Sequence, residues 1–174
     1  IYYRGGFQTM KSMTVVDRTS TPEVAGDANI ASNFTIDTNS TETYQGLSVN
    51  NMTLVASEVE IRNTLSSTAT VNLNFNQLIL DGAATQKQSL IFNKVTANVS
   101  TVNTTLIGQT ANTTSNIIID STSNVNWNGN IHSGKKSVAS PSDSGLLVNG
   151  VLNMNGDIAV YGYASIGSGG VLNM

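Results

Sequence analysis

The chain has 174 residues, with Lys+Arg 8, Asp+Glu 11 and a formal net charge of −3, so that only 11% of residues are charged, against about 25% in a typical soluble domain. Eight scattered cations form no basic stripe for nucleic-acid phosphates, no apolar run approaches the roughly 18 residues that span a membrane, and zero Cys excludes a disulfide scaffold, thiolate metal ligands and a thiol nucleophile. Asn (22), Ser (20) and Thr (21) take the place of charge, while 39% hydrophobic residues argue against a disordered chain.

Ile1-Tyr2-Tyr3-Arg4-Gly5-Gly6 has neither an initiator Met nor a signal-peptide pattern, and reads like the interior of a larger protein. Residues 17–29, with Pro22 and Gly26, read as a loop excursion. Val59 and Ile61 alternate with Glu58, Glu60 and Arg62, which places a charge row on the outer face of a surface strand. Val71-Asn72-Leu73-Asn74-Phe75-Asn76 alternates apolar residues with amides, as does the stretch from Asn124 to Ile131. Trp127 shares its phase with Val125 and Ile131 and belongs to the core. Leu78-Ile79-Leu80, Leu90-Ile91-Phe92 and Ile117-Ile118-Ile119 are short continuous runs of the kind that form buried strands. Residues 133–145, with Lys135, Lys136, Pro141 and Asp143, read as a second excursion. No window holds the helical period. Everything long enough to assign is β.

The strands repeat. Gly150-Val151-Leu152-Asn153-Met154 returns as Gly170-Val171-Leu172-Asn173-Met174. Looser recurrences begin at Leu47, Val71, Val95 and Ile117. A period of about 20–25 residues with short strands and no helix predicts an all-β parallel β-helix, a β-solenoid, occupying 1–174 as one segment of a longer passenger. About seven or eight rungs at roughly 4.8 Å would make a rod of about 35–40 Å. Asn suits the corners, where it tolerates left-handed backbone and bonds its equivalent in the next rung. Pro, which removes ladder donors, is confined to Pro22 and Pro141.

Tyr2-Tyr3-Arg4-Gly5-Gly6, Leu90-Ile91-Phe92-Asn93-Lys94-Val95-Thr96 and Gly145-Leu146-Leu147-Val148-Asn149-Gly150 resemble passenger sequence of the vacuolating-cytotoxin-like (VacA-like) autotransporters of Gram-negative bacteria. The resemblance is one of texture, from about residue 29 onward. It implies a right-handed parallel β-helix, export by a C-terminal β-barrel translocator, and a role at the cell surface. The Gly-rich apolar helix with which that toxin forms pores has no counterpart here, and the resemblance does not extend to its activity.

Candidate chemistry is sparse. His132 is the sole histidine and reads as an exposed loop residue. Asp81, Asp120, Asp143 and Asp157 are scattered at expected corners, where Asp satisfies backbone donors. Glycan-cleaving sites need clustered carboxylates. Gly167-Ser168-Gly169-Gly170 lacks the Lys-Ser/Thr of a phosphate loop and reads as a turn. Ile158, Val160, Gly162, Ala164 and Ile166 form one phase, which places Tyr161 and Tyr163 together outside as a stacking surface for a sugar ring or a partner protein.

The expectation is a non-enzymatic, secreted or surface-displayed segment with no catalytic residue, metal or cofactor, acting as stalk, adhesin or assembly module. Its partners are a host-cell or surface protein or glycan, or another copy. It neither binds nucleic acid nor inserts in a membrane. Two alternatives stay open: a glycan-binding or glycan-cleaving β-helix like a phage tailspike, and a subunit of an extracellular sheath or filament.

Overall fold

The computed structural model describes residues 28–30, 33–37, 44–54, 58–80, 87–109, 114–134 and 145–174. The strands are β1 (Ala28–Ile30), β2 (Phe34–Asp37), β3 (Tyr44–Leu54), β4 (Glu58–Arg62), β5 (Thr70–Leu80), β6 (Lys87–Asn93), β7 (Thr96–Thr101) and β8 (Thr105–Ile107). They continue as β9 (Thr114–Ile119), β10 (Asn124–Asn128), β11 (Ile131–Ser133), β12 (Gly145–Val148), β13 (Val151–Asn155), β14 (Ile158–Val160), β15 (Tyr163–Ile166) and β16 (Val171–Asn173). The described residues contain no helix, in keeping with the dense β-branched and amide content.

Consecutive strands do not pair as hairpins. Each lies parallel to its equivalent one turn of chain away, which makes the fold a β-solenoid. The first face is a six-stranded sheet in the order β15-β12-β9-β6-β4-β2. The other two faces belong to a ten-stranded sheet, in which β7-β10-β13-β16 form the second face and β8-β11-β14 the third. They join because β5 runs round the corner: Thr70–Phe75 pairs with β7, while Ile79 and Leu80 pair with β8. β6–β8, β9–β11 and β12–β14 are three complete turns of three separate strands.

The alternation read from the sequence becomes stacked columns inside the coil. Val59, Leu90, Ile117 and Leu146 lie over one another in register on the first face, with Ile61, Phe92, Ile119 and Val148 beside them. On the second face Val71, Ala97, Val125 and Leu152 form one column and Leu73, Val99, Trp127 and Met154 the next. All are buried, and each aliphatic or Phe side chain larger than that of Ala97 contributes about 1.5–3 kcal/mol relative to exposure. Phe92 meets Trp127 edge-on across the interior, with centroids 6.4 Å apart and an interplanar angle of 78°. The core assignment of Trp127 holds.

The coil length departs from expectation. Equivalent residues lie 24 to 31 apart up to the last coil, as in Asp37/Arg62 and Asn98/Asn126, and the step contracts there to 18 between Gly145 and Tyr163 and to 20 between Asn153 and Asn173. The recurrence beginning at Leu47, Val71 and Val95 therefore drifts. Leu47 pairs with Leu73 and Val71 with Ala97, but Ile117 pairs with Leu90 on a different face. Apolar-polar alternation is the same on every face, so spacing alone confuses one face with another. The stack of six strands on the first face also falls short of seven or eight rungs within the described residues.

The expected excursions fall largely on residues 17–27 and 135–144, outside the described residues. Their inner boundaries are strand residues, since β1 starts at Ala28 and β11 ends at Ser133.

The twenty-residue repeat is real in space: Val151, Leu152 and Asn153 pair with Val171, Leu172 and Asn173. Its glycine has a steric cause. A Cβ on Gly150 would lie 2.2 Å from the carbonyl oxygen of Asp120 and 2.4 Å from that of Ser123, and one on Gly170 would lie 2.1 Å from the carbonyl oxygen of Val148. Gly169, by contrast, has φ +89 and open space around it. Gly150→Ala should therefore lower the urea midpoint by the equivalent of about 2–3 kcal/mol, because backbone must move. Gly169→Ala should cost only the left-handed penalty of about 1–2 kcal/mol. Equal losses would contradict the close approach at Gly150.

Candidate functional site

The outer side of the second face carries the most regular chemistry of the molecule. Asn72, Asn98, Asn126, Asn153 and Asn173 occupy one column, each at the centre of an apolar-Asn-apolar triplet. The triplet turns both apolar neighbours inward and leaves the amide outside. Each Nδ2 donates to the Oδ1 of the preceding coil: Asn98 to Asn72 at 2.8 Å, Asn126 to Asn98 at 2.9 Å, Asn153 to Asn126 at 2.8 Å and Asn173 to Asn153 at 2.7 Å. Asn153 also donates to Asn124, and Asn155 to Asn128.

The flanking outward positions, such as Thr96, Ser100 and Val151, carry no charge either. The result is a flat lattice of amides, hydroxyls and valines, with rungs about 4.8 Å apart and rows about 7 Å apart. A second, shorter ladder of Asn51, Asn76 and Asn103 follows the next corner, at 2.9 and 3.1 Å. Corner asparagines were expected. The longer ladder in mid-strand was not, although the triplets Val71-Asn72-Leu73, Ala97-Asn98-Val99 and Val125-Asn126-Trp127 were its visible signal.

Charge is concentrated on the first face. Arg62 Nε donates to Asp37 Oδ2 at 3.0 Å, and Arg62 Nη1 to Glu60 Oε2 at 3.3 Å. Asn93 donates to Glu60 at 2.7 Å, and Asp37 also accepts from the backbone N–H and hydroxyl of Thr64. The row expected to be solvated is thus partly an ion-paired clamp across three coils, on a strand interior to its sheet; Glu58 alone is exposed.

Asp120 behaves as a corner residue. It accepts the Thr122 backbone N–H at 3.0 Å and the Thr122 hydroxyl at 2.8 Å. The backbone bond from Thr122 is the largest cause holding its carboxyl below the ordinary value of 3.8. Asp157 is exposed at another corner, where its own N–H donates to Asn130. Asp81 and Asp143 lie outside the described residues. No three acids or histidines converge into a metal-binding group among the described residues.

His132 is not in a loop. It sits half-buried on β11, in register with Leu106 and Ala159. Gly167 to Gly170 is a turn, closed by Gly170 N–H donating to the Gly167 carbonyl at 2.9 Å.

Tyr161 and Tyr163 are both about half exposed, at 48% and 49%, but they do not share a strand. β14 ends at Val160, and the N–H groups of Tyr161 and Gly162 both donate to the carbonyl of Ser133, which turns the chain. Tyr163 then opens β15 on the first face. The inner phase continues across that corner, since Val160 is in register with buried Ser133 and Ile166 with buried Val148; both are exposed because they lie in the last strands of their faces. The corner was missed because Gly162 fits the alternation as a small inward residue.

No family model, curated protein or solved structure matches the chain.

Two outcomes follow from this geometry. Asn126→Leu removes one donor and one acceptor from the ladder and should cost about 1–2 kcal/mol in urea denaturation. Combined with Asn98→Leu it should cost less than the sum, because the two share a bond; strict additivity would contradict a connected ladder. For Asp120 the folded value is lowered, so its stabilisation is present above the unfolded value near 3.8 and is lost as pH falls through the folded value. An acid titration of stability should show this limb in the parent and lose it in Asp120→Asn.

Proposed function

We propose that the chain is a β-helical segment displayed at the cell surface or secreted, acting as a non-enzymatic stalk and adhesive surface, in the manner of an autotransporter passenger of a Gram-negative bacterium. The observation that carries this reading is the uncharged amide and hydroxyl lattice along the second face. A rod assembled from coil-to-coil contacts extends by repetition, and a lattice on its side binds through many weak, equivalent contacts. Neutral amides and hydroxyls suit a neutral glycan or the polar surface of a host-cell or surface protein. The texture shared with vacuolating-cytotoxin-like passengers supports export to the cell surface.

The engagement of three of the five described acids also favours binding over cleavage. Asp37 and Glu60 are tied to Arg62, and Asp120 is tied to Thr122. A tailspike-like hydrolase requires a carboxylate pair free to protonate and attack.

Antibody labelling of intact cells of the producing organism tests the reading. Labelling without permeabilisation, or recovery from the medium, is the expected result; signal only after lysis would overturn it. Soluble protein should also compete for attachment of those cells to host surfaces. An Asn98→Asp/Asn126→Asp variant, which places charge in the lattice, should compete at least about tenfold less well.

A further inference from the structure

The exposed asparagines in the middle of the second face keep hydrogen-bonding capacity that the fold does not use. Asn98 donates one Nδ2 hydrogen to Asn72 and accepts one bond from Asn126, while Asn126 donates one to Asn98 and accepts one from Asn153. A primary amide has two N–H donors and two acceptor lone pairs. Each of these two residues therefore has one donor and one acceptor to spare. A sugar hydroxyl, which both donates and accepts, matches that pair. An acetamido group matches it as well. Trp127, on the same strand as Asn126, is buried at 1% exposure and offers no ring for stacking, so recognition here runs through amides and hydroxyls.

Charge and periodicity narrow the ligand further. None of the outward residues that β5, β7, β10, β13 and β16 contribute to this face is charged. A carboxylate or ammonium group laid on it would lose water without gaining a counterion. Protein surfaces carry such groups densely, about a quarter of all residues being charged, and a neutral glycan carries none. The ladder amides also recur at every coil, about 4.8 Å apart. A globular protein surface has no repeat of that kind, whereas a polymer of identical sugars does. Across the strands the lattice is three outward positions wide, as at Asn124, Asn126 and Asn128, or about 14 Å. That is a strip which an extended chain covers lengthwise.

We infer that the second face binds a linear, uncharged polysaccharide laid along the solenoid axis, its hydroxyl or acetamido groups taking the spare donor and acceptor of the ladder asparagines. The inference rests on the reading of this face as the adhesive surface and names its ligand class. A pyranose ring linked through opposite equatorial positions is about as long as one coil step, so successive sugars meet equivalent sites. Each contact is weak, and affinity comes from their number along the chain.

Titration of the full chain with cellotriose, cellohexaose, chitotriose and chitohexaose, followed by NMR at the side-chain amides of Asn98 and Asn126, tests it. A neutral hexaose should move both signals and bind at least about tenfold more tightly than its triose. An oligogalacturonate of the same length should bind at least about tenfold more weakly than that hexaose. Ser100→Arg, which leaves every ladder bond in place and lays a long side chain over the lattice, should weaken the neutral hexaose by about tenfold or more. Equal affinity for triose and hexaose, equal affinity for the galacturonate, or binding that leaves both amide signals unmoved would overturn the inference. So would the absence of binding by every neutral oligosaccharide. If the soluble protein then still competes for cell attachment, and Asn98→Asp/Asn126→Asp still weakens that competition, the second face binds a protein and the adhesive reading stands; loss of the competition as well removes both.

Discussion

In-register parallel pairing between successive coils is the constraint on which the rest of this structure depends. Once Val71 lies over Ala97 and Ala97 over Val125, every inward residue adds to a core column and every outward residue to a surface column. The backbone bonds supply the alignment, and burial of the columns supplies most of the stabilisation. The corners must then accept the same path in each turn. Gly150 and Gly170 are glycine because neighbouring carbonyls stand where a Cβ would be, and Asp120 holds its corner through Thr122.

The asparagine ladder is a consequence of the same register. An isolated exposed amide gains little by leaving water, but identical amides held about 4.8 Å apart bond one another with little rearrangement. The column replaces the charged residues that normally cover a sheet face, and it explains how the chain keeps a polar surface with so few charges. It also gives the surface a direction, since each amide donates toward the preceding coil. A neutral lattice with many equivalent positions is suited to broad, multivalent contact rather than to a single pocket. That property links the ladder to the proposed adhesive role.

Much of the architecture was legible in the residues. The alternation in Val71–Asn76 and Asn124–Ile131, and the return of Gly-Val-Leu-Asn-Met, lead to parallel coils without a helix. The coil length was less legible, because β5 carries two faces on one bent strand and the loops between faces vary in length. The ladder was visible as apolar-Asn-apolar triplets, yet recognising its column required knowing which triplets share a face. Tyr161 and Tyr163 show the opposite failure: Gly162 preserves the pattern of a strand while the backbone turns at Tyr161 and Gly162, whose N–H groups donate to the Ser133 carbonyl. His132 was placed outside any strand because a strand of only three residues leaves almost no periodic signal.

The stacking itself is open to one direct measurement. The chain has no Cys, so spin labels can be placed at Thr70→Cys and Val171→Cys, outward positions clear of the main ladder. The two belong to one column through Thr96, Asn124 and Val151. Four coil steps predict a Cα separation of about 19 Å, and a narrow electron-spin distance distribution consistent with that value once label length is included is the expected result. A broad distribution centred beyond about 30 Å, the scale of an unfolded chain of this length, would contradict the stacked coil and everything built on it.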